Sequence, residues 1–143
     1  MQRSSETIGA IAAALAKAQA ELTKAAQLDA ANAGKYYYNL GAVYVNTGQS
    51  EPAGAAFKKA IDTDPNYADA YYQYGIYLIG KATTTPDGKI VPPEGTADAF
   101  QKYLQMRPDG QFAEPAKAML QSMGSTVETN FDKRGKQPAT KKK

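Results

Sequence analysis

The stretch that decides the fold is an aromatic-rich segment of eight residues that occurs twice. The two copies read Tyr37-Tyr38-Asn39-Leu40-Gly41-Ala42-Val43-Tyr44 and Tyr71-Tyr72-Gln73-Tyr74-Gly75-Ile76-Tyr77-Leu78. In both, an aromatic pair precedes a glycine that is followed three positions later by a large side chain. Self-similarity at such a fixed step along the chain is typical of a repeat protein, in which each repeat is one supersecondary unit.

A second shared segment follows each copy. It reads Phe57-Lys58-Lys59-Ala60 before Asp64-Pro65, and Phe100-Gln101-Lys102-Tyr103 before Arg107-Pro108. The step from Phe57 to Phe100 exceeds the step from Tyr37 to Tyr71 by nine positions, so the second unit carries an insertion. The prolines end the preceding helices, because the residue before a proline is driven out of the helical conformation. Each unit is therefore predicted to be a pair of antiparallel helices.

Residues 34–67 resemble a tetratricopeptide repeat (TPR). The residues that match the spacing of that family are Tyr37, Leu40, Gly41, Tyr44, Ala53, Phe57, Ala60 and Pro65. The second copy is degenerate, with Tyr74, Leu78, Thr96 and Tyr103 where the family has Leu, Tyr, a small residue and Ala. The resemblance implies an all-α solenoid of antiparallel helix-turn-helix units that binds proteins and is not an enzyme. Gly41 and Ala53 are predicted to lie where the two helices approach closely.

The repeats divide the chain into five segments. They are an Ala-rich helical segment (1–33), the first repeat (34–67), the second repeat (68–110) with its inserted turn (81–95), a capping helix (111–124) and a basic tail predicted to be disordered (125–143). The first helix is predicted over roughly residues 5–28, with Ile8, Ile11, Leu15 and Leu22 on one narrow apolar stripe. It is longer than a repeat helix needs, so its first two turns are predicted to overhang the repeats.

The composition argues against catalysis and metal binding. The 143 residues include no Cys and no His, which removes thiolate nucleophiles, the commonest general base and the commonest transition-metal ligand. Asp62-Thr63-Asp64 resembles the start of a calcium loop, but Tyr67 and Gln73 stand where that loop needs Gly and Glu. We therefore predict no catalytic residue, no metal and no cofactor.

The positive charge is concentrated at the C-terminal end. Residues 132–143 hold six basic residues and one acidic residue, or +5, so a net charge of +3 leaves −2 for the rest of the chain. A weakly acidic body disfavours a nucleic-acid-binding domain, although the tail is a candidate for weak binding to single-stranded nucleic acid. The sequence has no run of 18 apolar residues that would predict a membrane span, and no signal-peptide pattern. A soluble protein is expected, cytoplasmic or a fragment of an exported bacterial one.

Two further resemblances are looser. Ser5 through Leu22 is similar to the opening helix of Erf-type phage single-strand annealing proteins, in under a sixth of the chain and with none of that family's later sequence. The segment from Tyr71 to the Lys-rich end is similar to the C-terminal TPR segment of larger bacterial, acidobacterial-like proteins. They imply a bacterial source and leave open whether the first helix is native to the repeats or a fused segment.

The candidate binding surface is the concave face of the first helix in each repeat. Exposed aromatic and aliphatic residues beside side-chain amides suit the capture of an extended peptide or a helix. The predicted peptide-binding residues are Lys35, Tyr38, Asn39, Ala42 and Val45 in the first repeat, and Asp69, Tyr72, Gln73, Ile76 and Ile79 in the second. The partner is a protein or peptide of unknown identity. Two alternatives stay open: a helix of this or another chain fills the groove, or the chain forms a homo-oligomer through residues 5–28.

Overall fold

This computed structural model describes residues 2–124, with side chains from residue 5 onward. Over this range the chain is helical apart from one short hairpin and the connecting turns. The elements in chain order are α1 (Gln2–Leu28), a 3-10 turn (Ala30–Asn32), α2 (Ala33–Asn46), α3 (Ser50–Thr63), α4 (Ala68–Ile79), β1 (Thr83–Thr84), β2 (Ile90–Val91), α5 (Thr96–Met106) and α6 (Ala113–Ser122). The predicted all-α class is confirmed. The chain forms two compact units, of which the first ends at Tyr67 and the second begins at Ala68.

In the first unit, α2 packs against both α1 and α3. The turn between α2 and α3 follows from Gly48, which adopts a φ of +72°, a conformation that costs glycine little because it has no side chain. This geometry lets the N–H of Gln49 donate to the carbonyl of Tyr44 at 2.9 Å, as at a glycine-terminated helix end. The helix therefore stops where the sequence places its glycine.

The close contact between α2 and α3 depends on Gly41. A β-carbon at this position would overlap the ring of Phe57, which is only 2% exposed and has no room to move away. Ala53 is equally buried on the facing helix, as the close approach requires. The second unit repeats the arrangement, since a β-carbon on Gly75 would lie 2.9 Å from the ring of Phe100. The close approach predicted at Gly41 is therefore present, and the second unit has a corresponding contact at Gly75.

The core of the second unit is built where α4, α5 and α6 meet. Its fully buried side chains include Phe100, Tyr103, Leu104 and Leu120. Tyr103 stands where the repeat family has alanine, and its hydroxyl accepts a hydrogen bond from the backbone N–H of Phe112 at 2.9 Å. That N–H belongs to the residue just before α6, where the first helical turn leaves backbone donors unpaired. The larger residue thus links α5 to the start of α6.

The inserted segment of the second unit forms a two-stranded antiparallel hairpin. Thr83 pairs with Val91 and Thr84 with Ile90, and the turn between them has Gly88 at a φ of +86°. The chain then reaches α5 through a conformation fixed by the buried Thr96, whose hydroxyl donates to the carbonyl of Pro93 at 2.7 Å. The insertion therefore adds its residues between α4 and α5, and these helices still meet at Gly75 and Phe100.

Candidate functional site

The predicted binding residues of the first repeat share one face of α2. Lys35 and Asn39 are exposed and one helical turn apart, and Val45 is 54% exposed. Tyr38 and Ala42 are half-buried, and with Val45 they form a stripe at helical spacings of four and three positions. The apolar stripe thus runs beside two polar side chains, the ammonium group of Lys35 and the amide of Asn39. Such a surface offers an extended ligand both apolar contact and hydrogen bonds.

Tyr38 is held in place by two other rings. Its centroid lies 5.6 Å from that of Phe57 and 5.1 Å from that of Tyr67, with the planes tilted by 55° and 37°. Aromatic pairs at these separations stabilise a fold beyond the area they bury. Tyr38 is therefore part of the packing of the first unit as well as part of the α2 face.

The structure corrects the expected exposure of Tyr72. Its side chain is 9% exposed, because the ring of Phe112 stacks on it in parallel with centroids 4.3 Å apart. The rings of Phe100 and Tyr103 lie 5.7 and 5.8 Å away on other sides. Burial raises the pKa of the Tyr72 hydroxyl above its usual value of about 10, since the phenolate form would lose its water. Tyr72 is thus a core residue of the second unit.

The other predicted residues of the second repeat are less exposed to solvent than those of α2. Asp69 is half-buried and accepts a weak hydrogen bond of 3.5 Å from Gln111. Ile76 packs against the core of the second unit. Gln73 and Ile79 are half-buried. Since the segment before α6 contacts Asp69 and Tyr72, the α4 face offers a ligand mainly Gln73 and Ile79.

In each unit an aromatic residue just before a helix packs on a tyrosine of the predicted binding face, and neither contact was predicted from the sequence. Tyr67 directly precedes α4 and covers Tyr38, and Phe112 directly precedes α6 and covers Tyr72. A signal was present in the sequence, because each covering aromatic follows a helix-ending proline and is followed by alanine. The signal was weak, because Phe112 follows Tyr72 at a greater distance along the chain than Tyr67 follows Tyr38.

The carboxyl group of Asp29, between α1 and α2, has a shifted pKa because of its hydrogen bonds. The Asn32 amide donates to Asp29 at 2.9 Å and is the main cause that lowers the pKa of this carboxyl, with Tyr36 as a second donor at 3.1 Å.

Within residues 2–124, no group of three or more Asp, Glu, His or Cys side chains is placed to hold a metal ion. Of the helices described, none combines the length and apolar character needed to cross a membrane.

The basic tail lies outside the described residues. Binding of nucleic acid by residues 125–143, and their predicted disorder, stay predictions. The Erf-type and acidobacterial resemblances also stay predictions.

Comparison with protein families gives two matches. A tetratricopeptide repeat model matches residues 34–67, which contain α2 except for its first residue and all of α3. A second tetratricopeptide repeat model matches residues 56–89, from the middle of α3 through α4 and into the hairpin turn. No curated protein matches the chain. The two matched segments overlap and together span the helices whose exposed faces were predicted to bind a ligand.

Proposed function

Because the chain is a tetratricopeptide repeat protein, we propose that it is a non-catalytic scaffold that binds a peptide or a helix through the exposed face of α2. Repeats of this family generally mediate protein–protein interaction, and the family is typically non-catalytic. The α2 face combines the apolar stripe of Tyr38, Ala42 and Val45 with the polar groups of Lys35 and Asn39.

The observation that carries the proposal is the exposure of Val45. More than half of this β-branched aliphatic side chain is exposed, although it continues a stripe whose other members are half-buried. Burying a whole valine side chain contributes about 1.5–3 kcal/mol, so covering the exposed half contributes about 1 kcal/mol. The amide of Asn39 can both donate to and accept from a peptide backbone, which would set the orientation of the ligand.

The test selects a ligand and does not require the natural partner to be known. Peptides are selected from a random library against the full chain, and their affinity is then measured by calorimetry for the wild type and for Val45→Glu. We expect the substitution to weaken binding about tenfold or more, because a buried aliphatic contact is replaced by a carboxylate that must lose water.

A matched control is Ala55→Glu, which adds the same charge at an exposed position of α3. We expect it to leave the affinity within about twofold, since surface substitutions away from a contact have small effects. Asn39→Ala should weaken binding less than Val45→Glu does. Equal affinity of the wild type and Val45→Glu for every selected peptide would place the binding surface elsewhere, and failure to select any peptide would argue against peptide capture.

A further inference from the structure

The sequence contains the pair Asp-Gly twice, each time after a proline. The two segments are Thr85-Pro86-Asp87-Gly88 in the hairpin and Arg107-Pro108-Asp109-Gly110 between α5 and α6. Aspartate isomerises most readily before glycine, because glycine has no β-carbon to shield its backbone nitrogen. That nitrogen attacks the side-chain carboxyl carbon of the aspartate and closes a five-membered ring. The two segments therefore carry the same latent reaction in different surroundings.

The reaction needs only water. When the ring closes, the glycine nitrogen bonds to the carboxyl carbon, and its proton leaves with the carboxyl hydroxyl as one molecule of water. Water then opens the resulting succinimide at either of its carbonyl groups. One opening restores aspartate. The other gives isoaspartate, in which the main chain runs through the side chain and is longer by one methylene group.

The turn at the tip of the hairpin holds the reacting groups of Asp87 and Gly88 apart. The N–H of Gly88 donates to the carbonyl of Thr85 at 2.9 Å, which closes a four-residue turn. Among the described residues only glycines have a positive φ, so Asp87 does not have the conformation of a type II turn, and the turn is of type I. In a type I turn the ψ of the third residue is about 0°. This angle directs the Gly88 nitrogen away from the Asp87 side chain.

The Thr85 side chain also restrains the carboxyl group. Its hydroxyl donates to the Asp87 carboxylate and accepts the N–H of Lys89 at 3.0 Å. The carboxylate must leave this hydroxyl before its carbon can reach the Gly88 nitrogen. Asp87 therefore reacts only when the turn opens.

Opening this turn disturbs little else in the fold. The strands on either side contain two residues each, and all four side chains are exposed. Apart from its chain neighbours, no described residue has an atom within 4 Å of the place that a β-carbon of Gly88 would take. A two-stranded hairpin is marginally stable at best, and segments with few buried contacts open locally. The hairpin thus opens without unfolding of the helices.

The second segment is tied to the core of its unit. The N–H of Gly110 donates to the carbonyl of Arg107 at 3.0 Å, and the carbonyl of Gly110 accepts the N–H of Ala113, also at 3.0 Å. Gly110 lies against the fully buried Tyr103, whose hydroxyl binds the start of α6. Moving Gly110 out of this turn therefore disturbs the contact between α5 and α6.

We propose that Asp87 is a site of spontaneous isomerisation to isoaspartate, and that the fold protects Asp109 in the same Pro-Asp-Gly sequence. The rate at each aspartate is its rate in the unfolded chain multiplied by the fraction of time for which its turn is open. The rates in the unfolded chain are similar, because proline precedes and glycine follows both residues. The rates in the folded chain differ because the two turns differ in local stability.

Isomerisation at Asp87 changes the hairpin and spares the helices. The added methylene group lies inside the turn that sets the pairing of Thr84 with Ile90. The strands lose this register, while the contact between Gly75 and Phe100 lies outside the hairpin. The change accumulates with time and is not reversed by refolding. The hairpin therefore becomes a chemical mark of the age of each chain.

The test follows both aspartates in the full chain. The protein is incubated at neutral pH and body temperature in heavy-oxygen water, so that each passage through the succinimide leaves one heavy oxygen atom at that residue. Mass spectrometry of peptides measures the label and the isoaspartate at each site. We expect both to appear at Asp87 at least about tenfold faster than at Asp109, because local opening costs less than loss of the core contact. In urea, which opens both turns, the two rates should agree within about threefold.

Substitutions in the hairpin test the part played by the Thr85 hydroxyl. Thr85→Val removes the hydroxyl and keeps a β-branched side chain, so the rate at Asp87 should rise about threefold or more through loss of its hydrogen bonds. Thr84→Val makes the same change one position earlier and should alter the rate less than about twofold. Asp87→Glu should remove the label, because its longer side chain closes a larger ring far more slowly.

Circular dichroism should show the same helical content in all these variants. Equal rates at Asp87 and Asp109 in the folded chain would overturn the proposal, as would label at Asp109 alone. A rate in Thr85→Val no higher than in Thr84→Val would show that the hydroxyl does not restrain the reaction.

Discussion

At the scale of single residues, Tyr103 shows how a departure from the repeat pattern is accommodated. The family has alanine at this position, yet the Tyr103 ring is fully buried and its hydroxyl pairs with the N–H of Phe112. The space for the ring exists because Gly110 has no side chain, since a β-carbon there would collide with the Tyr103 hydroxyl. A single glycine thus permits a larger residue that fixes the start of α6.

We expect Tyr103→Phe to lower the free energy of unfolding by about 1–2 kcal/mol, because the N–H of Phe112 loses its acceptor while the ring packing is kept. Urea denaturation followed by circular dichroism measures the change. Tyr44→Phe is the control, since the hydroxyl of this half-buried tyrosine makes no hydrogen bond within the described part of the chain. Equal effects of the two substitutions would contradict the role assigned to the Tyr103 hydroxyl.

At the scale of secondary-structure elements, the pairing of helices depends on contacts so close that no added side-chain atom fits between them. We expect Gly41→Ala to destabilise the protein by about 1–3 kcal/mol, because the added methyl group overlaps the buried ring of Phe57 and forces α2 and α3 apart. Gly9→Ala in α1 serves as control, since nothing lies within 4 Å of a β-carbon there and alanine favours a helix. The prediction fails if both substitutions shift the urea midpoint in the same direction.

The stacking of α4 against the start of α6 predicts a dependence on alkaline pH. The folded state raises the pKa of Tyr72, so the stabilisation from its neutral form is complete below the unfolded value of about 10 and is lost as pH rises through the folded value. The free energy of unfolding should therefore fall above pH 10. In Tyr72→Phe this fall should be smaller, because the ring still stacks on Phe112 but has no proton to lose. Unfolding curves at pH 8 and above pH 10 measure the difference, and an equal fall in both proteins would refute the assignment.

At the scale of the whole molecule, the chain consists of two compact units, of which the first ends at Tyr67 and the second begins at Ala68. The α2 face and its exposed Val45 belong to the first unit, and the stacked pair of Tyr72 and Phe112 belongs to the second. We therefore expect Tyr72→Phe to leave the affinity for a selected peptide unchanged within about twofold, because the substituted ring lies in the core of the other unit.

The helix pairs could be predicted from the sequence because their signals are local. Gly41 and Ala53 belong to the same repeat, and their positions in the TPR pattern indicated that the two helices approach closely there. The burial of Tyr72 could not be predicted in the same way. It depends on Phe112, which lies far along the chain and beyond an insertion, and the path of such a loop is not encoded in a periodic pattern. The unusual length of α1 was predicted because its apolar stripe extends further than a repeat helix needs.

The hairpin between α4 and α5 has a practical consequence for work with this protein. Its two strands contain two residues each, its turn is exposed, and the Gly75–Phe100 contact that joins the flanking helices lies outside it. Surface turns of this kind tolerate insertions. An epitope or a fluorescent reporter inserted between Asp87 and Gly88 would therefore label the chain while leaving the Gly75–Phe100 contact in place.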